Sequence, residues 1–178
     1  MNIVWLTGRR LKNDLAGSTE IGLFETLVER GNLVHAISPD KENLDLISLH
    51  SGIGQNPIKG LQSISTSRKM SRMISKSNEL IEWADVFLVD WRLVSGTWKI
   101  LDRARARWWI IDRGPPAYSG ILASLQTIQW SRAWKIANNK SNGGFVVSKM
   151  HEDYVRRVIG QNLKICRIID SYTIKYQK

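Results

Sequence analysis

Two stretches pair a carboxylate with a guanidinium directly after an apolar run: Asp90-Trp91-Arg92 and Asp112-Arg113-Gly114-Pro115-Pro116. An acid and a cation fixed by a proline-stiffened turn can orient a substrate or take part in catalysis, because rigid placement removes part of the entropic barrier. Asp112 and Arg113 are the catalytic candidates on this reading. In the other stretch, the indole of Trp91 between Asp90 and Arg92 can form a wall that stacks on a sugar or a base. Each pattern has a plain alternative: a surface salt bridge at a Pro turn, and a tryptophan anchored in the core. The segment from Thr7 to Thr19 holds Gly8, Arg9, Arg10, Lys12, Gly17 and Ser18 ahead of a helical pattern. Free amides and the positive end of a helix dipole there would receive an anion, unless the segment is simply a solvated surface loop. It matches neither G-x-G-x-x-G nor the Walker pattern, which argues against a standard dinucleotide or P-loop site.

Eight tryptophans stand at 5, 83, 91, 98, 108, 109, 130 and 134. Trp130 and Trp134 are four residues apart and share a helix face with Arg132 and Lys135 close by. This suits a basic helix lying on an anionic membrane surface. The competing reading packs both indoles on a sheet and turns the basic residues to water. His35, His50 and His151 show no triad partner in the sequence, and no Cys/His cluster has metal-site spacing, so no metal is expected. Cys166 is the single cysteine, which excludes an internal disulfide; its expected place is a small buried apolar side chain.

These residues need elements to hold them, and apolar runs alternating with amphipathic stretches supply a β-α-β pattern. Strands are expected at Ile3–Leu6, Leu33–Ile37, Leu44–Leu49, Val86–Val89, Trp108–Ile111, Phe145–Val147 and Leu163–Ile169. Helices are expected at Ser18–Arg30, Ser63–Trp83, Ser95–Arg103 and Ser119–Asn138, with another that runs from a Ser148 cap to Arg157. Gly31 is placed to end the first helix, and Ser51–Lys59 reads as a loop. This alternation specifies an α/β fold: a Rossmann-like doubly wound, mostly parallel sheet with helices on both faces. Ligands in such sheets bind outside the carboxyl ends of the strands, where the segments above lie.

The 178 residues suit a single domain, and 43% hydrophobic content is enough for a buried core. The formal charge of +10 is unevenly spread: residues 1–60 carry 6 basic and 7 acidic side chains, residues 61–178 carry 20 and 9. Such a field suits an anionic partner. One reading is therefore a non-enzymatic basic module for nucleic acid or membrane, although no nucleic-acid motif is present and nucleic acid is the less favoured partner. No run approaches the roughly 18 apolar residues of a membrane span, and MNIVWLTGRR lacks the order of a signal peptide, so a cytoplasmic protein is expected.

NIVWLTGRR at 2–10, AGSTEIGLFETLVERGNLVHAIS at 16–38, WADVFLVDW at 83–91 and NGGFVVSKMHEDYVRRVIG at 142–160 occur in an order and spacing that resemble one family. The chain resembles the amino-terminal domain of retaining, sugar-nucleotide-dependent glycosyltransferases of the two-Rossmann-domain (GT-B) type, over nearly its whole length. That resemblance implies a group 1-like glycosyltransferase in which this domain binds the acceptor and a carboxyl-terminal domain binds the nucleotide sugar. It implies that Gly17 and Ser18 approach the donor diphosphate, with the nucleotide sugar as co-substrate and no further cofactor. Arg9, Asp90, Trp91 and Arg92 would bind a glycan, lipid or polyprenyl-phosphate acceptor, with peripheral contact at the inner membrane face. Family members often carry a His-Asp pair where this chain has Asp112-Arg113, so a histidine role does not carry over. The "PNGVD"-like linker is absent from ICRIIDSYTIKYQK, which implies that sugar transfer needs a donor-binding half in the same or another chain.

Overall fold

The computed structural model describes residues 1–11, 15–39, 48–49, 62–114, 116 and 121–168. Among these residues seven parallel strands form one sheet: β1 (Asn2–Leu6), β2 (Leu33–Ile37), β3 (Ser48–Leu49), β4 (Val86–Asp90), β5 (Trp108–Asp112), β6 (Gly143–Val146) and β7 (Ile165–Arg167). Their order, β3-β2-β1-β4-β5-β6-β7, is that of a Rossmann-like doubly wound sheet, as expected. The helices are α1 (Leu15–Glu29), α2 (Gln62–Lys76), α3 (Asn78–Trp83), α4 (Trp91–Arg103), α5 (Ile121–Lys140) and α6 (Lys149–Ile159).

Strand alternation divides the core in two. Ile3, Trp5, Val34, Ala36, Leu88 and Ile111 pack with Phe24 of α1 on one face. Val4, Leu6, Phe87, Val89, Trp108, Ile110 and Val146 pack on the other against residues of α2 to α6. Successive residues of a strand point to opposite faces, so continuous apolar runs serve both layers. Helix α1 stops at Gly31, whose φ of 77° is the left-handed conformation of a C-terminal cap. Its N–H bonds the carbonyl of Val28 at 2.8 Å and the Asn32 N–H bonds that of Leu27 at 3.1 Å, the two bonds of a Schellman motif.

Several expected boundaries shift for local reasons. The helix expected over Ser63–Trp83 divides at Ser77, whose Oγ donates to the Met73 carbonyl at 3.1 Å and whose backbone leaves helical geometry. Helix α4 begins at Trp91, four residues before Ser95, because Asp90 Oδ1 accepts from the Arg92 N–H at 3.0 Å and caps it. Strand β6 starts at Gly143 and includes both glycines. A Cβ on Gly143 would lie 2.3 Å from the Trp109 ring, and one on Gly144 would lie 2.6 Å from Trp134, so bare backbone is required where two indoles cross the strand. The last strand shortens to Ile165–Arg167, with Cys166 half-buried in it. Helix α6 starts as expected, with Ser148 Oγ accepting from the His151 N–H at 3.1 Å. Of the strand expected at Leu44–Leu49, only Ser48–Leu49 falls among the described residues; the Ser51–Lys59 loop, Ser119 and His50 lie outside them.

Candidate functional site

The chain leaves β1 toward α1 on one face of the sheet and leaves β4 toward α4 on the other. The carboxyl ends of these neighbouring strands therefore diverge into a crevice, the switch point where open α/β sheets bind ligands. Thr7, Gly8 and Arg9 follow β1, Asp90 closes β4, and Arg113 follows β5. The Gly8 N–H donates to Asp90 Oδ2 at 3.4 Å, which ties the first loop to the end of the neighbouring strand. Arg92 Nη1 lies 3.6 Å from the same oxygen, with its guanidinium 5.3 Å above the Trp91 ring centre.

The centre of the crevice is Glu20, from α1, a residue the motifs did not single out. Only 3% of it is exposed. Its Oε1 lies 3.5 Å from Arg113 Nη1 and 3.8 Å from Arg9 Nε, while Oε2 is buried without a hydrogen-bond partner. Burial, followed by the charge of Asp90, pushes its carboxyl from 4.5 up to about 7 against the opposing pull of the Thr7 hydrogen bond, Arg113 and Arg9. The signal for Glu20 was its position on the stripe of α1 that also carries Phe24 and Leu27, four and seven residues on.

Asp112 is elsewhere. It is fully buried, and its Oδ2 accepts three bonds: from Trp130 Nε1 at 2.5 Å, Trp134 Nε1 at 2.8 Å and His151 Nε2 at 3.0 Å. Oδ1 accepts from the Gly114 N–H at 3.0 Å. The carboxylate thus pins α5, α6 and the Gly114 turn to the end of β5, and the expectation that it acts directly on substrate is corrected: it has no exposed surface. Only Arg113 of the expected catalytic pair enters the crevice.

Three further placements depart from expectation. Trp130 and Trp134 are fully buried, so neither indole reaches a membrane surface; Arg132 and Lys135 are exposed on the outer side of α5. Trp91 is 4% exposed and belongs to the core, where it cannot form a stacking wall. Gly17 and Ser18 lie within the first turn of α1, which begins at Leu15, rather than ahead of the helix, and of the two only Gly17 is at a position whose amide makes no intrahelical bond. Asp90, Arg92 and Arg9 do meet in the crevice. Among the described residues no cluster of three or more His, Cys, Asp or Glu could hold a metal ion, and no helix is long and apolar enough to cross a membrane.

No protein-family model and no curated protein matches the sequence. Solved structures do match the fold. A sucrose-phosphate synthase structure from Thermosynechococcus elongatus superposes with a TM-score of 0.68 at 12% identity, covering 99% of this chain and 94% of that one. The apo UGT2 of Phytolacca americana gives 0.64 at 9% identity over 98% of this chain and 54% of its own. A UGT of Arabidopsis thaliana complexed with UDP-L-rhamnose gives 0.62 at 11% identity, over 94% and 51%. The chain therefore has the Rossmann-like fold found in glycosyltransferases of the GT-B architecture, and it spans about half the length of the plant UGTs it matches.

Proposed function

We propose that the chain is the acceptor-side, amino-terminal Rossmann domain of a retaining GT-B glycosyltransferase, which transfers sugar from a nucleotide sugar to a glycan, lipid or polyprenyl-phosphate acceptor. The observation that carries this reading is the coincidence of two facts: a GT-B-like fold and a crevice of opposed charges at the carboxyl ends of β1, β4 and β5. Arg9, Asp90, Arg92 and Arg113 face the acceptor, and Glu20 holds Arg9 and Arg113 in place. Asp112 acts as a positioning residue by fixing the end of β5 beneath Arg113. The first turn of α1, at Gly17 and Ser18, faces the donor diphosphate, where preorganised N–H groups stabilise charge on the leaving nucleotide. The donor sugar is then gripped by a second Rossmann domain from the same or another chain, with no cofactor beyond the nucleotide sugar. The setting is cytoplasmic, at most peripheral to the inner membrane face, and membrane contact would fall to Arg132 and Lys135 rather than to the buried indoles.

The test uses protein purified from its native cells through a tag at the chromosomal gene, which brings along whatever supplies the donor half. Incubation with UDP-, GDP- and ADP-sugars and a cell-envelope extract should yield labelled product with retained anomeric configuration, and Arg113→Ala should lower the yield at least tenfold, on the order expected for one charged contact at a transferring group. A preparation that contains a second Rossmann domain yet transfers no sugar from any of these donors overturns the reading.

A further inference from the structure

One side of α5 is fixed to the sheet: Trp130 and Trp134 donate to Asp112 at the end of β5, and His151 of α6 bonds the same oxygen. Gln129 Nε2 donates to the carbonyl of Arg92, beside the crevice, at 3.3 Å. The part of α5 that precedes Trp130 and the first turn of α6 therefore lie at the carboxyl end of the sheet, the end that carries the crevice. The other side of α5 is bare. Leu125 and Ile128 are 58% and 64% exposed, and Met150, next to His151 in α6, is 82% exposed. Tyr154, one turn after Met150, is 38% exposed and stacks on Trp130 with ring centres 4.9 Å apart, which sets this side of α6 against α5. Among the described residues, four of the eight large apolar side chains that are exposed thus gather at one place, a grouping that marks a contact surface. Charge surrounds it. Arg132 and Lys135 continue the helix face of Leu125 and Ile128, and α5 has no acidic residue. Helix α4 packs between α2 and α5 in the same layer, and these three helices hold ten basic side chains and one acidic, against 16 and 15 in the rest of the chain. Arg68, Arg72 and Lys76 of α2 and Lys99 and Arg103 of α4 are exposed, while the one acid, Asp102, lies 3.4 Å from Lys140.

Resting on the acceptor-side reading above in its lipid form, we propose that this flank docks on an anionic phospholipid bilayer: Leu125, Ile128 and Met150 enter the boundary of the acyl chains, Arg132 and Lys135 meet the headgroup phosphates, and the cationic outer sides of α2 and α4 hold the domain to the surface. The crevice then opens beside the bilayer, where a lipid-borne acceptor is presented. Apolar side chains bordered by basic ones on a helix lying in the interface plane combine buried area with attraction to anionic lipid. A second copy of the chain fits this flank less well, because two faces of the same strong positive charge repel. Nucleic acid would satisfy the cations but leave Leu125, Ile128 and Met150 in water.

The full chain is sedimented with vesicles of phosphatidylcholine alone and of phosphatidylcholine mixed with phosphatidylglycerol, and the bound fraction gives a partition coefficient. Partitioning should be at least about tenfold stronger onto the anionic vesicles and should weaken as salt is added. Leu125→Ser combined with Ile128→Ser should lower it on the order of tenfold or more, as expected for removing two aliphatic side chains from the acyl boundary. Arg132→Gln and Lys135→Gln should each lower it on the order of fivefold. Leu33→Ser removes an apolar side chain that is 60% exposed in β2, away from this flank, and should leave partitioning unchanged. Near-ultraviolet circular dichroism reports whether each variant keeps its packing, and the two Gln variants carry the test if the double Ser variant does not fold. Absence of binding to the anionic vesicles, or binding indifferent to the double Ser variant and to both Gln variants, overturns the inference. So does a concentration-dependent dimer that the double Ser variant abolishes in a chain that binds no vesicles, or RNA binding that survives physiological salt in such a chain. Sugar transfer by a protein that binds no vesicles sinks this inference alone; vesicle binding by a protein that transfers no sugar leaves the docking flank and removes the transferase reading.

Discussion

Replacing Glu20 by Gln isolates the cost of burying one carboxylate. In the folded chain its carboxyl titrates at about 7 against 4.5 for the free group, and the side chain is only 3% exposed. A difference of about 2.5 units at roughly 1.36 kcal/mol per unit corresponds to about 3 kcal/mol. Its sign follows from proton counting. Between pH 4.5 and 7 the folded state holds the proton more often than the unfolded chain does, so raising the pH through this interval lowers the stability of the wild type. The stability associated with protonated Glu20 is fully present below 4.5 and lost once the pH passes 7. Gln has the same shape and does not titrate. Urea unfolding followed by tryptophan fluorescence, at half-unit steps from pH 4.5 to 8.5, gives the difference between Glu20→Gln and wild type at each pH. That difference cancels the titration of every other acid, and it should move in favour of Gln by about 3 kcal/mol across the range. A difference that stays flat to within about 0.5 kcal/mol would refute the reasoning. A shift in favour of wild type as pH rises would mean that Arg9 and Arg113 stabilise the charge more than burial penalises it.

Two further substitutions test the frame around the crevice. Asp112→Asn sets an amide against three buried donors that one carboxylate oxygen now satisfies; a loss of about 3 kcal/mol is expected, read as a fall in Tm of the order of 10 °C, and an unchanged Tm would show that Trp130, Trp134 and His151 do not depend on it. Gly144→Ala places a methyl 2.6 Å from the Trp134 ring and 2.9 Å from Ile110 and should cost about 1–3 kcal/mol in urea unfolding, whereas a neutral result would mean that the indole has room to move.

The parallel sheet was legible because each strand is a short apolar run and each connection carries helical spacing; strand existence and order need no more than that. The segment Gly143-Gly144 reads as a turn in the sequence, since glycine is the commonest turn residue, and only the tertiary approach of Trp109 and Trp134 makes it a strand. In the same way Ser95 has the chemistry of an N-cap, but Asp90 occupies that role earlier because the strand ends in it. Glu20 was missed for a different reason. A lone acid in an amphipathic helix ordinarily faces water, and what sends this one inward is the pair of arginines waiting at two strand ends, which lie 11 residues before and 93 after it in the chain.

The separation of Asp112 from Arg113 follows from the pleat. In β5, Trp108 and Ile110 face the layer of α5 and α6, and Asp112 shares their parity, so its carboxylate meets Trp130, Trp134 and His151. Ile111 faces α1, and Arg113 follows it to Glu20. The same count on β4 sends Asp90 with Leu88 toward α1 and Trp91 with Phe87 and Val89 into the opposite core. Adjacent residues at a strand end are therefore assigned to different layers, one to the crevice and one to the packing that holds the crevice open. A catalytic pair read from neighbouring positions cannot act as a pair here; groups that act together must come from residues of like parity on different strands, which is how Asp90 and Arg113 come to share Glu20.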